Sequence, residues 1–203
     1  MPAPGSPNPA RVFVITGPSG VGKGTLIRAL LERMPELELS VSATTRPARP
    51  GEEDGVAYHF VTDAGFDRWV SEGAFVEHAS YSGRRYGTLR AELERRTAQG
   101  VPVVLEIEVQ GARQVAHAMP EALRIFIAPP SEDALRARLV GRGTDDPEQI
   151  TARLVTAREE LAAQGEFGRV VVNDRLEAAL AELEQIVRAA TLSSSPLVSE
   201  PKD

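Results

Sequence analysis

A glycine-rich stretch between an apolar run and a helical pattern constrains this chain more than any other feature. The stretch covers residues 17–25, follows the apolar run 12–16, and precedes a periodic apolar pattern that begins at Leu26. Strand, loop and helix in that order are the context of a phosphate-binding loop, whose inward N–H groups and helix dipole attract phosphate oxygens. We therefore expect the loop to bind a nucleoside triphosphate through Gly17, Pro18, Ser19, Gly20, Val21, Gly22, Lys23, Gly24 and Thr25.

Lys23 is one of only two lysines in the chain. The other is Lys202, and the remaining 21 basic residues are arginine. A compact ammonium at this position can reach the outer phosphates of a triphosphate. The loop departs from the common pattern at Gly24, where a Ser or Thr hydroxyl usually approaches magnesium, and the hydroxyl comes one residue later at Thr25. The alternative is a glycine-rich turn with a chance lysine, which the strand and helix context disfavours.

Composition limits the class of protein. With 203 residues, 42% hydrophobic and 26% charged, the chain suits one globular domain with inserts. Its net charge of −6 argues against a general nucleic-acid binder, and the absence of cysteine excludes disulfides and cysteine-based metal or thiol chemistry. No apolar run approaches the length of a membrane span. We therefore expect a cytoplasmic protein without a membrane or nucleic-acid partner.

The alternation of strand and helix patterns predicts an α/β fold with a parallel sheet and helices on both faces. An apolar strand over 102–108 ends in Glu106 and Glu108, which places both carboxylates at the ligand-binding edge of such a sheet. The segment 42–96 is polar and rich in Pro and Gly at first, then shows short strands that we expect to be antiparallel and a helix capped by Asp63.

Two classes of phosphate-loop protein compete at this point. A switch GTPase requires an N-K-x-D segment, which this sequence lacks. A nucleoside monophosphate kinase requires a second phosphate site and a cover over the triphosphate, and the segment 42–96 and the arginine-rich stretch 136–153 are candidates for these. The predicted divisions are a loose arm at 1–10, a core at 11–41, 97–135 and 164–190, an insert at 42–96, a lid at 136–163 and a disordered tail at 191–203.

Eight segments in order carry a resemblance to the guanylate kinase family. They are GPSGVGKGT (17–25), SVSATTRPARPGE (40–52), YHFV (58–61), FVEHASYSGRRYGT (75–88), LEIEVQGA (105–112), IFIAPPS (125–131), GRGTDD (141–146) and VVNDRLE (171–177). The resemblance implies a phosphate-loop core, a small inserted α+β GMP-binding domain and a helical lid. It also implies transfer of a phosphoryl group from ATP to GMP with Mg²⁺, giving ADP and GDP.

The resemblance also assigns individual residues. Arg46, Arg49, Tyr58 and Tyr86 match ligands of the GMP phosphate, and Ser42, Glu77 and Thr88 match residues that read guanine. Glu108 matches a carboxylate near the guanine and the metal, although other members carry Asp there. Lys23 with Arg138, Arg142 and Arg153 would stabilise the transferred phosphoryl group, and Asn173 would lie near the ATP base. Because Gly24 resembles adenylate kinase at this position, Mg²⁺ would be held mainly by nucleotide and water, with Thr25 and Glu108 nearby.

Simpler interpretations of these residues remain open from sequence. Arg46 and Arg49 fit a solvated loop, Tyr58 and Tyr86 fit ordinary sheet aromatics, and Glu77 fits a strand position facing solvent. The arginines of 136–158 partly suit a helix surface, and Arg158 is expected to pair with Glu159 or Glu160. The competing function is a non-catalytic guanylate-kinase-like module that binds phosphopeptides, which the complete phosphate loop and lid arginines disfavour. The oligomeric state, monomer or homodimer, is left open.

Overall fold

The computed structural model describes residues 12–81, 83–141 and 147–192, which form two β-sheets and seven α-helices. In chain order the elements are β1 (Val12–Thr16), α1 (Lys23–Arg33), β2 (Glu38–Leu39), β3 (Ala43–Thr44), β4 (His59–Phe60), α2 (Asp63–Ser71), β5 (Phe75–Tyr81), β6 (Arg84–Leu89), α3 (Arg90–Ala98), β7 (Val103–Glu106), α4 (Val109–Ala118), β8 (Leu123–Ala128), α5 (Glu132–Val140), α6 (Pro147–Ala162), a 3₁₀ turn (Ala163–Glu166), β9 (Arg169–Val172) and α7 (Leu176–Leu192).

The larger sheet is parallel and has the strand order β2-β7-β1-β8-β9. Every residue of β1 is buried because this central strand is covered on both faces, which explains its unbroken apolar sequence. One face packs against α1, α5 and α7 through residues such as Leu30, Leu139 and Leu183, and the other against α4 through Val115. The predicted parallel sheet with helices on both faces is confirmed.

The smaller sheet, of order β4-β3-β6-β5, lies within the predicted insert. The sequence predicted antiparallel strands, and β6 is indeed antiparallel to β3 and β5, but β3 and β4 are parallel. The connection between β3 and β4 explains why they are parallel, because the polar segment 45–58 is long enough to return the chain to the end of the sheet at which β3 begins. Phe66 and Phe75 stack at 4.6 Å between ring centroids and form a separate small core with Trp69.

Some local predictions need correction. Thr62, and not Asp63, is the N-cap of α2, since its hydroxyl accepts the Gly65 N–H at 3.1 Å while Asp63 lies in the first turn. Helix α3 begins at Arg90, because Thr88 still pairs with β5. The last helix continues through Leu192, two residues into the predicted tail. The arm 1–10 and the rest of the tail lie outside the described residues.

No helix in the described part of the chain is long and apolar enough to cross a membrane. The division into core, insert and lid stays a prediction, although the two sheets have separate hydrophobic clusters.

Candidate active site

The predicted phosphate loop connects β1 to α1 at the carboxyl edge of the larger sheet. Gly17 has a φ of 142°, and a Cβ there would collide with the Ile127 carbonyl oxygen of β8. Gly22 has a φ of 98°, and a Cβ there would come within 2.7 Å of the Asn173 Nδ2. Both positions therefore require glycine for conformation and for space. This close approach brings the loop against the ends of β8 and β9.

The Lys23 side chain lies inside the loop and is only 8% exposed. Its Nζ donates to the carbonyl oxygens of Gly17 at 2.5 Å and Pro18 at 3.3 Å. The ammonium is thus already held at the phosphate-binding loop, with the loop's own carbonyls as acceptors. Phosphate oxygens are stronger acceptors for an ammonium than neutral carbonyls are, so an incoming anion can exchange with these partners.

Two of the three predicted catalytic arginines contact the loop region. Arg153 in α6 donates from a terminal guanidinium nitrogen to the Ser19 Oγ at 2.8 Å. Arg138 in α5 donates to the carbonyl oxygens of Val21 at 3.2 Å and Asn173 at 2.8 Å. The third, Arg142, lies outside the described residues. The buried Asn173 amide donates to the Val21 carbonyl at 2.8 Å, so in this structure it supports the loop backbone.

A cavity of about 200 Å³ lies between the two sheets and collects most residues that the sequence assigned to GMP. Tyr58 and Tyr86 approach edge to face with ring centroids 6.1 Å apart. Burial raises the pKa of the Tyr58 phenol, which therefore stays a neutral donor at ordinary pH. The tyrosines thus line a cavity and are not merely sheet aromatics. The lining residues are Ser42, Tyr58, Glu77, Ala79, Tyr81, Tyr86, Glu106, Ile107 and Glu108.

Arg46 is not part of a solvated loop, since its side chain is only 13% exposed. Its two terminal nitrogens donate to both carboxylate oxygens of Glu52 at 2.9 and 2.8 Å, and its guanidinium lies 5.3 Å from the Tyr58 ring centroid. Arg49 donates its backbone N–H to the same carboxylate at 2.7 Å. The Arg46 side chain holds the pKa of Glu52 below its usual value. Sequence reasoning missed Glu52, although it ends one of the matching segments.

Glu77 is the most deeply buried carboxylate of the site, at 3% exposure, so the alternative interpretation of a solvent-facing position is wrong. It lies in β5 opposite Thr88 of β6, and the Thr88 hydroxyl donates to the Glu77 Oε1 at 2.7 Å. The pKa of Glu77 is raised to about 7, mainly because burial disfavours the charged form; the hydrogen bonds from Thr88 lower the pKa and the nearby Glu108 carboxylate raises it. Thr88 therefore supports the carboxylate directly.

Glu108 is the N-cap residue of α4, but its side chain makes no capping hydrogen bond. Its Oε2 is buried and has no hydrogen-bond partner among the described residues. The carboxyl of Glu160 in α6 faces it, and burial together with Glu108 raises the pKa of Glu160 to about 8. Glu160 also accepts the Ser19 N–H at 3.4 Å.

The expected pairing of Arg158 with Glu159 or Glu160 is wrong, since Arg158 pairs with Glu132 at 3.0 Å.

A second, larger cleft of about 650 Å³ extends along the phosphate loop. Its walls include the loop residues 18–20 and 22–25 together with Arg49 and Glu52 of the predicted insert. Three residues, Tyr81, Glu106 and Glu108, line both this cleft and the smaller cavity. The two spaces therefore meet at these residues. Sequence reasoning did not identify Tyr81, because a tyrosine at the end of a strand carries no distinguishing pattern.

The oxygen donors at this junction suit a hard divalent cation such as Mg²⁺. Thr25 and the carboxylates of Glu106 and Glu108 all line the loop cleft. Within the described ranges, however, no group of three or more His, Cys, Asp or Glu residues could hold a metal ion by itself. The residues therefore fit a cation that takes most of its ligands from phosphates and water.

The family model for guanylate kinase matches residues 9–190. The chain belongs to the guanylate kinase family. It is 56% identical to a guanylate kinase of Mycolicibacterium paratuberculosis over 179 residues, which covers 87% of this chain and 80% of that protein. It is 57% identical to a guanylate kinase of Frankia casuarinae over 175 residues, which covers 86% of this chain and 95% of that protein.

A solved structure agrees with these relatives. The crystal structure of guanylate kinase from Anaplasma phagocytophilum matches with a TM-score of 0.76 and 33% identity, and the match covers 94% of this chain and 92% of that one. The predictions of the family and of an enzyme are confirmed, and the phosphopeptide-binding alternative finds no support in these relatives. The roles of individual site residues stay predictions.

Proposed function

We propose that this enzyme transfers the γ-phosphoryl group of ATP to GMP, giving ADP and GDP. The observation that carries the proposal is the junction of two spaces, one along the phosphate loop and one lined by Glu77, at Tyr81, Glu106 and Glu108. A donor nucleotide in the first and an acceptor in the second would bring their reacting phosphates together there. Such positioning supplies much of the catalysis in phosphoryl transfer.

The smaller cavity supplies hydrogen-bonding groups for guanine and for a phosphate. Guanine presents two donors, the ring N1–H and the exocyclic amine, and an ionised Glu77 accepts from both. Of the two hydroxyls assigned to guanine, that of Thr88 already donates to Glu77, so Ser42 is the one that donates to the guanine oxygen. Arg46 and Arg49 bind the GMP phosphate as charged donors, and the phenols of Tyr58 and Tyr86 add neutral donors.

The loop cleft supplies the positive charge for the triphosphate. Lys23 and the loop N–H groups bind the outer phosphates, and Arg138, Arg142 and Arg153 close on the transferred group. No covalent intermediate or general base is needed, because the GMP phosphate is already an oxygen nucleophile. When bound with ATP, Mg²⁺ would neutralise phosphate charge, and the oxygens of Thr25, Glu106 and Glu108 are the protein groups of the loop cleft that would help to hold it.

Closure of the predicted lid and insert excludes water from the transferring phosphoryl group, which would otherwise be hydrolysed. Arg153 and Glu160 in α6 both contact Ser19 of the loop, so a movement of α6 during lid closure would reach the phosphate site through these contacts. The substrates ATP and GMP and a cytoplasmic location complete the proposal.

A coupled assay of ADP release tests the function. The purified protein is given ATP and Mg²⁺ with GMP, AMP, CMP or UMP, and we expect turnover with GMP to exceed that with each other monophosphate by at least about 100-fold. The Lys23→Ala variant serves as the control for contaminating kinases. Equal turnover with all four monophosphates, or activity that survives in Lys23→Ala, would contradict the proposal.

A further inference from the structure

Gly111 lies in the first turn of α4 and packs directly against the Glu77 side chain. A Cβ added at Gly111 would collide with the Glu77 Oε2 and would come within 3.0 Å of Cδ and 3.5 Å of Cγ. Gly111 has ordinary helical geometry with no positive φ, so backbone conformation does not require glycine there. Glycine in a helix interior is less stable than alanine. The reason for glycine at this position is therefore the space that Glu77 occupies.

Gln114, three residues further along α4, fixes the backbone next to Glu77. The His78 N–H donates to the Gln114 Oε1 at 3.1 Å, and the Gln114 Nε2 donates to the His78 carbonyl oxygen at 2.7 Å. Since β5 is an edge strand of the smaller sheet, the Gln114 amide pairs with a peptide group that another strand would otherwise satisfy. Glu108, the N-cap residue of the same helix, lines the same cavity.

The Glu77 carboxylate is confined from two sides. The Thr88 hydroxyl holds Oε1 at 2.7 Å, and Gly111 borders Oε2. The three heavy atoms nearest to an added methyl group all belong to the Glu77 side chain. A methyl group at position 111 would therefore not simply push the helix away from the strand. It would displace the carboxylate or break its hydrogen bond with Thr88.

We propose that Gly111 is a specificity-determining positioning residue, which leaves room for the Glu77 carboxylate to face guanine while Gln114 fixes the adjoining backbone. Gly111 acts through Glu77 and does not itself bind the base. This inference rests on the proposed GMP function. The preference of the wild-type enzyme for GMP over AMP tests the proposed function alone. The Gly111 variants test the inference, so failure of one can be distinguished from failure of the other.

The first test compares Gly111→Ala with Gly165→Ala. Gly165 lies in the 3₁₀ turn, and a Cβ there meets no atom within 4 Å, so this matched control adds the same methyl group in open space. We expect Gly111→Ala to lower kcat/KM for GMP by about 10- to 100-fold, mainly through KM, because a displaced carboxylate leaves guanine donors unpaired. The KM for ATP should stay within about twofold of the wild-type value. The ratio of kcat/KM for GMP to kcat/KM for AMP should fall as kcat/KM for GMP falls. An unchanged GMP/AMP ratio in Gly111→Ala overturns the proposal.

The second test asks whether Gly111 acts through Glu77. In a Glu77→Ala background the colliding atoms are gone, so adding Gly111→Ala should change GMP efficiency by less than about threefold. A further loss of about tenfold or more in that background overturns the proposal. Should Glu77→Ala fail to fold, Glu77→Asp draws the carboxylate back by one methylene and takes its place, and Gly111→Ala should then cost less than it does in the wild type.

Melting temperatures give a readout that does not depend on activity. At an unhindered helical position, Gly→Ala stabilises a protein, because alanine restricts the unfolded chain more than glycine does. We expect Gly111→Ala to raise the melting temperature in the Glu77→Ala background and not in the wild type. An equal rise in both backgrounds would mean that the methyl group does not meet the Glu77 side chain, which also overturns the proposal.

Discussion

Replacing Glu77 by Gln should stabilise the free enzyme at high pH while it impairs catalysis. Burial raises the pKa of this carboxyl to about 7, against an ordinary value of 4.5. The folded state therefore binds the proton of Glu77 more tightly than the unfolded state does. Below about pH 4.5 the carboxyl is protonated in both states, so burying it carries no charge penalty there. The cost of burying the charge develops as pH rises from about 4.5 to 7 and is complete above it. A rise of this pKa from 4.5 to about 7 lowers the free energy of unfolding by about 3 kcal/mol at pH 8 and by less than about 1 kcal/mol at pH 5.

Glutamine keeps the shape of the side chain and can keep the Thr88 hydrogen bond, but it carries no charge at any pH. The stability of Glu77→Gln relative to the wild type should therefore improve by about 2–3 kcal/mol between pH 5 and pH 8. For a chain of this size, that corresponds to a change of about 4–12 °C in the difference between the two melting temperatures. Glu160, with its own raised pKa, is present in both proteins and cancels in the comparison.

The measurement is thermal unfolding of the wild type and Glu77→Gln at matched pH values, without nucleotide. Glu121→Gln serves as the control for the loss of a carboxylate, because Glu121 is exposed. In the kinetic assay, Glu77→Gln should lose about 10- to 1000-fold in GMP efficiency, while AMP efficiency falls less or rises slightly. A melting-temperature difference that does not change with pH would refute the buried charge, and an unchanged GMP/AMP ratio would refute the role in base recognition.

Three further predictions concern phosphate binding and closure. Lys23→Ala should lower kcat by about 100- to 1000-fold with GMP binding nearly normal, measured by single-turnover assay and GMP titration; near-normal turnover would contradict the loop assignment. Arg46→Ala and Arg49→Ala should each raise KM for GMP by about 10- to 150-fold and leave KM for ATP nearly unchanged, and equal effects on both substrates would mean that 42–96 is not the GMP site. ATP and GMP together should slow hydrogen exchange in β5, β6 and α6, whereas unchanged protection would count against closure.

The phosphate loop and the larger sheet could be predicted because their signals are local. The pattern of residues 12–25 predicts a strand, a loop and the start of a helix in succession, and the structure has β1 and α1 at these positions. The cap of α2 could not be decided in this way, since Thr62 and Asp63 are both capable caps and only the backbone geometry selects Thr62. The parallel pairing of β3 with β4 was missed because it depends on the path of the long segment between them.

The environment of the carboxylates could not be predicted from the pattern of the sequence. An acid in a β-strand commonly faces solvent, and Glu77 is buried because α4 covers that face of β5. Glu160 gave no signal of its own, since its contact with Ser19 joins residues that lie far apart in the chain. The resemblance to a family identified Glu77 as a candidate, whereas its confinement by Thr88 and Gly111 required the structure.

Groups predicted to bind phosphate are held by the chain's own acceptors in this structure. Arg46 is the clearest case, because both its terminal nitrogens donate to Glu52. Binding of the GMP phosphate is therefore an exchange of partners, and its net free energy is smaller than the gross strength of the new hydrogen bonds. Removing the Arg46 side chain also leaves the Glu52 carboxylate without its guanidinium, so an uncompensated negative charge remains beside the arriving phosphate. Arg49 contacts Glu52 only through its backbone N–H, which Arg49→Ala retains. The Arg46→Ala variant should therefore have the higher KM for GMP of the two, and its defect should diminish at high salt, where repulsion by Glu52 is screened.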